Sequence, residues 1–342
     1  MKAGLVGFPL AGKTTLFNAI TTLHKAGDAH VHLGAIKVPD RRIDELAAIY
    51  RPRKVTYAEV RFVDLPGPRG KGMDAESLRA LADVDALCLV LRGFPQVDGA
   101  APEPLRELRD FDAELVLSDL AVVERRLDRL RKEHAGKTGS EWHELTNLLG
   151  HLEAGQPLRT LRWTEAEQRE MAHFGFLSRR PMLVVLNVSE ADAAAPVPPE
   201  LDAEVRARGA EALALSAEVE AEIAEIDRSE QPAFLESIGL REPARERFIH
   251  AAYHLLDLAS FFTVGEDEVR AWTIHRGDRA PRAAGRIHSD LERGFIRAEV
   301  VHYEDFMAAG GEAKARERGR MRLEGKEYVV RDGDILHVRA AV

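Results

Sequence analysis

The sequence predicts an α/β protein in which a doubly wound, mostly parallel sheet carries an inserted helical coiled-coil hairpin and a C-terminal α+β domain of the β-grasp kind. Apolar strands, among them a nearly continuous run at residues 84–91, alternate with helical segments and resume at residue 181. This alternation is typical of a parallel sheet. The residues in between carry apolar positions at steps of four and three, the spacing of a coiled coil. Short strands grouped around one helix follow residue 258.

The composition is that of an ordinary soluble protein with room for two or three domains. Of the 342 residues, 45% are hydrophobic and 31% are charged, and the formal net charge is −9. Because a negative chain does not coat nucleic acid nonspecifically, we expect only focal contact with RNA and no specific DNA site. The single cysteine, Cys88, excludes an intrachain disulfide and a Cys-cluster zinc site. No apolar run approaches the roughly 20 residues of a membrane span and no signal peptide begins the chain, so we expect a cytoplasmic protein without membrane contact.

The first strand and helix enclose a predicted phosphate-binding loop. Residues 7–14 read GFPLAGKT, in which two glycines flank four residues and Lys and Thr follow. Between a strand and a helix, this pattern turns backbone N–H groups and the helix N-terminus toward phosphates. Lys13 would reach the β- and γ-phosphates, and the Thr14 hydroxyl would complete a Mg2+ shell. The predicted phosphate contacts are Gly7, Pro9, Leu10, Ala11, Gly12, Lys13, Thr14 and Thr15.

A second nucleotide motif, Asp64-Leu-Pro-Gly67, ends a predicted strand over residues 56–65. In this context Asp64 would hold the Mg2+ shell, directly or through water, and the Gly67 N–H would face the γ-phosphate. Lys13 and Gly67 are therefore the predicted catalytic groups, and Thr14 and Asp64 are the predicted metal ligands. The predicted cofactor is Mg2+, with ATP or GTP as the bound substrate.

Residues 105–133 form a predicted long helix whose apolar positions make the seam of a coiled coil. A second apolar stripe follows a break at residues 136–139, so we predict an antiparallel helical hairpin that projects from the sheet domain. A capping box at residues 164–167 opens a further helix. Two interpretations of the hairpin stay open, a structural insertion and a lever that binds a partner. The stripes are Val116, Leu120, Val123, Leu127 and Leu130, and Trp142, Leu145, Leu148, Leu149 and Leu152.

Two further strand ends resemble the base-reading elements of translation-factor GTPases, Asn-Lys-x-Asp and Ser-Ala, in altered form. Asn187 would bind the major-groove edge of a purine. Val188 replaces the Lys that packs along the base, and Glu190 carries its carboxylate one methylene farther out than the usual Asp. Because a misplaced acceptor discriminates poorly for guanine, we expect adenine to be tolerated or preferred. The predicted base contacts are Asn187, Val188, Glu190, Ser216, Ala217 and Glu218.

The C-terminal residues predict a small α+β domain with a basic segment. Residues 261–275 predict a strand hairpin, 283–290 a helix, 295–303 a strand and 328–338 a closing hairpin with an Asp-Gly turn. Basic residues fall on alternate positions before the last hairpin. In an extended segment they would share one face that could contact RNA phosphates, and a solvated basic loop is the alternative. This row consists of Lys314, Arg316, Arg318, Arg320 and Arg322.

Together these motifs resemble the YchF family of Obg-like ATPases over nearly the full length of the chain. The most specific stretch, residues 284–300, reads AGRIHSDLERGFIRAEV and resembles the C-terminal TGS domain of that family, a β-grasp module. The resemblance implies ATP hydrolysis in preference to GTP and association with the ribosome, ribosomal RNA or another translation component. The predicted domains are a P-loop nucleotide-binding domain at 1–95 and 181–257, an inserted coiled-coil arm at 96–180, and a TGS-like domain at 258–342.

The chain departs from that family in two places. Leu10 stands where the phosphate loop usually carries Asn, so an amide near the phosphates is missing. Residues 25–55 contain no Thr or Ser, although this region usually supplies a Thr to the Mg2+ and the γ-phosphate. We therefore expect a slow ATPase that acts as a nucleotide-dependent switch. A nucleotide-binding scaffold with negligible hydrolysis is the alternative.

Overall fold

The structure is a computed structural model that describes residues 2–21, 32–67, 72–96, 98–133, 139–227 and 229–341. Two segments discussed above lie outside the described residues. They are residues 25–31 of the region without Thr or Ser, and residues 136–138 of the predicted break in the hairpin. The chain forms two compact units. One consists of Met1–Gly34 with Arg61–Phe248, and the other of Ala35–Val60 with Ile249–Val342.

The helices and strands are numbered in chain order. The strands are β1 (Lys2–Gly7), β2 (His32–Lys37), β3 (Lys54–Thr56), β4 (Glu59–Asp64), β5 (Ala86–Arg92), β6 (Met182–Asn187), β7 (Glu211–Leu215), β8 (Leu258–Thr263), β9 (Glu268–His275), β10 (Phe295–His302), β11 (Arg322–Glu324) and β12 (Asp334–Ala340). The α-helices are α1 (Lys13–Thr21), α2 (Arg41–Tyr50), α3 (Ala75–Ala82), α4 (Pro104–Glu133), α5 (Ser140–Glu153), α6 (Glu165–Met171), α7 (Pro199–Ala207), α8 (Ala217–Glu225), α9 (Gln231–Ser237), α10 (Ala244–Leu255), α11 (Ala280–Ile287), α12 (Ser289–Arg293), α13 (Tyr303–Ala309) and α14 (Glu312–Glu317).

Each of the two sheets has six strands. The one that lies mainly in the larger unit, which we call the larger sheet, has the order β2-β4-β1-β5-β6-β7. The pairs β1–β4, β1–β5, β5–β6 and β6–β7 are parallel, which confirms the predicted doubly wound sheet. Every residue of β5 is buried, as its apolar run predicts. Burial raises the pKa of the Cys88 thiol in this strand to about 12, so the thiol stays protonated and unreactive at neutral pH.

The strand predicted over residues 56–65 is present as β4 but starts later and is shorter, at Glu59–Asp64. β3 ends at Thr56 and pairs in parallel with β9 of the smaller sheet, whereas β4 begins at Glu59 and belongs to the larger sheet. Residues 35–60 therefore group with the C-terminal residues, and Arg42 supports this grouping because its guanidinium donates to Asp332 at 2.9 Å. The second compact unit thus contains more than the predicted domain at 258–342, whose boundary stays a prediction.

The helical hairpin is confirmed by α4 and α5, which are 30 and 14 residues long. Arg126 of α4 donates to both carboxylate oxygens of Glu141 in α5, at 2.7 and 2.8 Å. Because this late residue of α4 contacts an early residue of α5, the two helices are antiparallel. The two predicted apolar stripes pack in one hydrophobic core. Thr164 and Glu167 form the predicted capping box at the start of α6.

The sheet of the smaller unit, which we call the smaller sheet, also has six strands, in the order β11-β10-β12-β8-β9-β3. β8 and β9 form the predicted antiparallel hairpin, and β10 lies where the sequence predicts a strand. The predicted closing hairpin is wrong, because β12 pairs with β10 and β8 instead. The buried Asp334 explains the difference. Its Oδ2 accepts hydrogen bonds from the Tyr328 hydroxyl at 2.7 Å and the Arg331 N–H at 2.8 Å, which turns the chain just before β12.

Candidate nucleotide-binding site

The predicted phosphate loop joins β1 to α1 at the carboxyl edge of the larger sheet. Leu10 and Gly12 adopt left-handed backbone conformations, with φ angles of 66° and 79°. A Cβ on Gly12 would lie 2.1 Å from the Asn187 Nδ2 atom, so only glycine fits at this position. The backbone therefore has the tight turn that a phosphate-cradling loop requires.

Lys13 and Asp64, the predicted phosphate and metal residues, meet as an ion pair. β4 ends at Asp64, beside Leu5 of β1, and the Lys13 Nζ contacts Asp64 Oδ1. Asp64 is 8% exposed, whereas Thr14 is exposed in the first turn of α1. Lys13 thus lies where a triphosphate bound to the loop would meet it.

The oxygen atoms of Asp64 and Thr14 fit a Mg2+ ion whose shell is completed by water and phosphate oxygens. Mg2+ binds oxygen ligands and keeps several waters, so one or two protein ligands are enough. Across the residues that the structure describes, no group of three His, Cys, Asp or Glu side chains is placed to hold a metal ion by itself. The donor set therefore suits a metal that arrives with the nucleotide.

Gly67 of the second motif packs directly against the phosphate loop. A Cβ on Gly67 would lie 1.7 Å from the Gly7 carbonyl oxygen, and a Cβ on Gly7 would lie 2.5 Å from the Val90 carbonyl oxygen. Three chain segments thus approach one another through their backbones. Only glycine permits this approach, which gives a physical reason for both glycines in the two motifs.

Asn187 connects the phosphate loop to the second base-reading element. Its Nδ2 donates to the Ala11 carbonyl oxygen, and its Oδ1 accepts from the Ala217 N–H, both at 2.9 Å. The side chain is 4% exposed. The sequence predicts a purine contact at Asn187, and the structure adds this link between two loops. No local pattern indicates the link, because Asn187 and Ala11 are 176 residues apart.

The other predicted base contacts differ in exposure. Val188 is buried in the core of the first unit. Ser216 is also buried, and its Oγ caps α8 by accepting from the Val219 N–H. Glu190 and Glu218 are exposed. The contacts of these residues with a base stay predictions.

Comparison with known proteins identifies the family. A protein named ribosome-binding ATPase YchF from Bacillus subtilis is 40% identical over 99% of this chain and 99% of its own length. The chain belongs to the YchF family. A relative of the same name from Haemophilus influenzae is 38% identical over 99% of this chain and 98% of its own length.

Two family models and one solved structure agree with membership of the YchF family. A model described as a 50S ribosome-binding GTPase matches residues 2–125, and a C-terminal YchF GTPase model, described as a protein of unknown function, matches residues 258–341. The solved structure of the Schizosaccharomyces pombe YchF GTPase has a TM-score of 0.89 and 29% identity, and the match covers 99% of this chain and 97% of that one. The predicted fold class is therefore confirmed. Among the described residues, no helix combines the length and the apolar character needed to cross a bilayer.

Leu10 marks the point at which this chain departs from the Asn usual in the YchF phosphate loop. Its side chain is 72% exposed, and its φ of 66° lies in the left-handed region. That conformation costs a residue with a Cβ about 1–2 kcal/mol, and Asn tolerates it better because its side chain bonds locally. The loop thus keeps its curvature but lacks the side-chain amide.

The prediction that the basic row shares one extended face is wrong. Glu312–Glu317 form α14, so Lys314 and Arg316 lie on a helix, and Gly319 then turns the chain with a φ of 66°. The helical conformation is favoured because Ala315 packs into the core with no exposed surface. Alternate residues on a helix do not face the same way.

Carboxylates also compensate part of the charge in this row. Arg316 donates to Glu299 at 2.9 Å, and Arg320 lies 3.6 Å from Asp305. A guanidinium that already has a carboxylate partner gains less from a phosphate than a free one does. Contact between this row and RNA stays a prediction.

Proposed function

We propose that this protein is a nucleotide-dependent switch that binds ATP with Mg2+, hydrolyses it slowly and acts on the ribosome in the cytoplasm. The observation that carries the proposal is the meeting of Lys13, Asp64 and Gly67 at the phosphate loop. These groups supply the positioning and charge neutralisation that phosphoryl transfer needs. The relatives named ribosome-binding ATPases support both the substrate and the partner.

The chain contributes to hydrolysis mainly through electrostatics. When ATP binds, the Lys13 ammonium exchanges the Asp64 carboxylate for oxygens of the β- and γ-phosphates, and the Gly67 N–H donates to the γ-phosphate. Asp64 and the Thr14 hydroxyl are then free to hold the metal shell. Mg2+, when bound, neutralises charge on the phosphate oxygens. Water is the nucleophile, and the preorganised loop stabilises the charge of the transition state.

Slow turnover follows from groups that the sequence lacks. Leu10 brings no amide to the phosphates, residues 25–55 bring no Thr or Ser hydroxyl, and residues 68–83 contain no Gln or His that could orient the attacking water. A partner that supplies one missing group can raise the rate of such an NTPase by about 10³–10⁵-fold. We therefore expect ribosomes to accelerate hydrolysis.

Single-turnover hydrolysis tests this function. Phosphate release from radiolabelled ATP would be measured with Mg2+ or EDTA, with and without ribosomes. Lys13→Ala should reduce release to background, while Lys326→Ala, which removes an exposed lysine of the other unit, should leave it unchanged. Release by the unsubstituted chain that never exceeds the Lys13→Ala background would overturn the ATPase and favour the nucleotide-binding scaffold, for which Leu10 is the supporting observation.

The preference for adenine rests on Glu190, whose carboxylate is exposed after β6. Its extra methylene displaces the acceptor that guanine requires, so ATP should bind at least as tightly as GTP. Calorimetric titration of both nucleotides tests this. Glu190→Asp should raise GTP affinity, and Glu225→Asp, at the exposed end of α8, should not. A clearly tighter GTP complex in the unsubstituted protein would refute this preference.

A further inference from the structure

A cavity of about 700 Å³ lies at the base of the helical arm. Its lining includes Asp85, just before β5, and Pro181, just before β6. Because β5 and β6 run parallel, these residues lie at the amino edge of the larger sheet. Asp64 and Asn187 end their strands at the carboxyl edge. The cavity is therefore separate from the nucleotide site.

Three arginines line this cavity without a carboxylate partner among the described residues. Arg169, Arg179 and Arg180 all belong to the lining, and no salt bridge within 4.0 Å involves any of them. The cavity also contains Asp85 and Glu165, so positive side chains outnumber negative ones. We call Arg169, Arg179 and Arg180 the arm-base arginines.

Arg179 is partly buried and has no carboxylate within ion-pair distance among the described residues. Its guanidinium carbon lies 4.3 Å from the centroid of the Trp163 ring, so the charge lies over an aromatic face. Burial lowers the pKa of Arg179, because the charged form loses water without gaining a carboxylate. An anion in the cavity would restore that lost interaction.

Arg180 is already engaged in the fold. Its guanidinium donates to the carbonyl oxygens of Val84 and Ala82, and its Nε is buried without a hydrogen-bond partner. Burial lowers the pKa of Arg180, while Asp85 and Asp119 act in the opposite direction. Arg180 therefore fixes the wall of the cavity. Among the described residues, Arg169 donates only its Nε–H, to the Glu165 carbonyl oxygen at 3.1 Å, so its terminal Nη groups and the Arg179 guanidinium are available to a ligand.

We propose that this cavity binds single-stranded RNA, with Arg169 and Arg179 contacting phosphates and an unstacked base lying against the Arg179 guanidinium, which Trp163 supports from outside the cavity lining. The volume is far larger than an inorganic phosphate needs, and Phe176 and Met171 add apolar wall. Proteins recognise single-stranded RNA by stacking its bases on aromatic rings and guanidinium planes. Because the chain has a net charge of −9, it can bind RNA only where positive side chains are concentrated locally. The inference rests on the proposed function in one respect, that ribosomal RNA is the natural source of the strand.

The test compares two double variants of the full-length chain. Arg169→Gln/Arg179→Gln removes the available cavity arginines, and Arg125→Gln/Arg129→Gln removes the same charge from exposed positions on α4. Binding of a labelled 12-nucleotide single-stranded RNA would be followed by fluorescence anisotropy at several salt concentrations. The cavity variant should bind on the order of tenfold more weakly, and its log–log salt slope should fall by about 1.4, or about 0.7 for each lost phosphate contact. The control variant should keep nearly the affinity and slope of the unsubstituted chain.

Two further measurements show whether the variants are folded and where the RNA binds. Equal thermal unfolding of the variants shows that the fold is intact. An RNA-dependent change in tryptophan emission that disappears in Trp163→Phe places the RNA beside Arg179, which lies over Trp163. RNA binding that is undetectable, or equal in both double variants, would overturn the inference. So would full displacement of the RNA by millimolar inorganic phosphate or ATP, which would indicate a site for free anions.

Ribosome cosedimentation separates this inference from the proposed function. If the chain and its cavity variant both sediment with ribosomes equally well, the proposed function stands and the RNA site is wrong. If the unsubstituted chain does not sediment with ribosomes, the proposed partner is wrong, and the RNA titration alone decides the site. Loss of cosedimentation only in the cavity variant would support both.

Discussion

At the carboxyl edge of the larger sheet the charged groups already have partners, whereas at the amino edge the available arginines have none. Lys13 pairs with Asp64, and the Asn187 amide bonds two backbone groups. Arg169 and Arg179, at the other edge, line a cavity without a carboxylate partner among the described residues. A ligand at the first edge must exchange existing partners, which makes binding selective. A ligand at the second edge meets guanidinium groups that form no ion pair, so the binding proposed there should depend strongly on salt.

Gly67→Ala should have the largest effect and should act at one edge only. The new Cβ would lie 1.7 Å from the Gly7 carbonyl oxygen, so the second motif must move away from the phosphate loop. Loss of one backbone donor to transition-state charge costs about 10²–10³-fold in rate, and we expect phosphate release to fall at least that far. RNA binding at the arm base should not change.

Gly150→Ala is the matched control for Gly67→Ala. Gly150 lies within α5 with nothing within 4 Å of a Cβ built on it. Alanine there should raise stability by up to about 1 kcal/mol and leave hydrolysis unchanged. If Gly67→Ala retains full hydrolysis, the close backbone approach is not needed for catalysis.

Asp119→Asn should affect stability at the arm base in a pH-dependent way. The buried Asp119 carboxylate accepts hydrogen bonds from the Leu177 N–H, the Ser178 N–H and the Ser178 Oγ–H, at 2.8, 2.8 and 2.6 Å. At low pH the side chain is a neutral carboxyl, and both of its oxygens can still accept hydrogen bonds, whereas the Nδ2 of Asn cannot. The variant should therefore lose about 1–3 kcal/mol at low pH. Burial raises the pKa of Asp119 from 3.8 to about 6.

The sign of that pH dependence follows from the raised pKa. The native state holds the Asp119 proton more tightly than the unfolded state, so the contribution of this group to stability is full below pH 4 and falls as the pH rises to about 6. The fall amounts to about 3 kcal/mol at about 1.4 kcal/mol per pKa unit. Urea unfolding at pH 4.5 and pH 7 should therefore show that the stability advantage of the unsubstituted chain over Asp119→Asn is lost or reversed at pH 7. Asp110→Asn, at an exposed position of α4, should show no such change, and an advantage that grows with pH would contradict the assignment.

Leu10→Asn, in the phosphate loop, should modestly raise both the stability of the protein and its rate of ATP hydrolysis. The residue has a left-handed backbone and a side chain that is 72% exposed, so replacing it removes strain without opening a cavity. We expect a gain of about 1 kcal/mol in stability and a few-fold faster hydrolysis. Leu117→Asn, an exposed leucine within α4, should instead lose a few tenths of a kcal/mol. Thermal unfolding that places Leu10→Asn below the unsubstituted chain would show that Leu10 makes a contact of its own.

Arg316→Gln should have the smallest effect, since this arginine is already paired. It bonds Glu299 at 2.9 Å and Glu312 at 3.3 Å, and exposed ion pairs contribute about 0–1 kcal/mol. RNA affinity should change less than about twofold, well below the change expected for the arm-base arginines. An equal loss in both would remove the distinction between paired and unpaired arginines.

Much of the fold and of the phosphate site can be predicted because their patterns are local. A glycine-rich turn between a strand and a helix needs its residues in consecutive positions, and a coiled-coil seam needs apolar residues at fixed steps. The separation of β3 from β4 and the turn of the chain before β12 could not be predicted, since a distant pairing partner and the buried Asp334 carboxylate decide them. The extended conformation predicted for the basic row is wrong for a related reason, because the burial of Ala315 in a helix outweighs the alternating pattern of charges.

The sequence by itself determined the phosphate loop, the Asp64–Gly67 motif, the central strands and the helical arm. Only the tertiary structure decided which of these groups meet. It paired Lys13 with Asp64 across 51 residues, linked Asn187 to Ala11 and joined residues 35–60 to the C-terminal unit. It also left the arm-base arginines without a carboxylate partner among the described residues. The reason is physical: local periodicity sets which face of an element is apolar, but the partner of a charge depends on segments that meet only when the whole core packs.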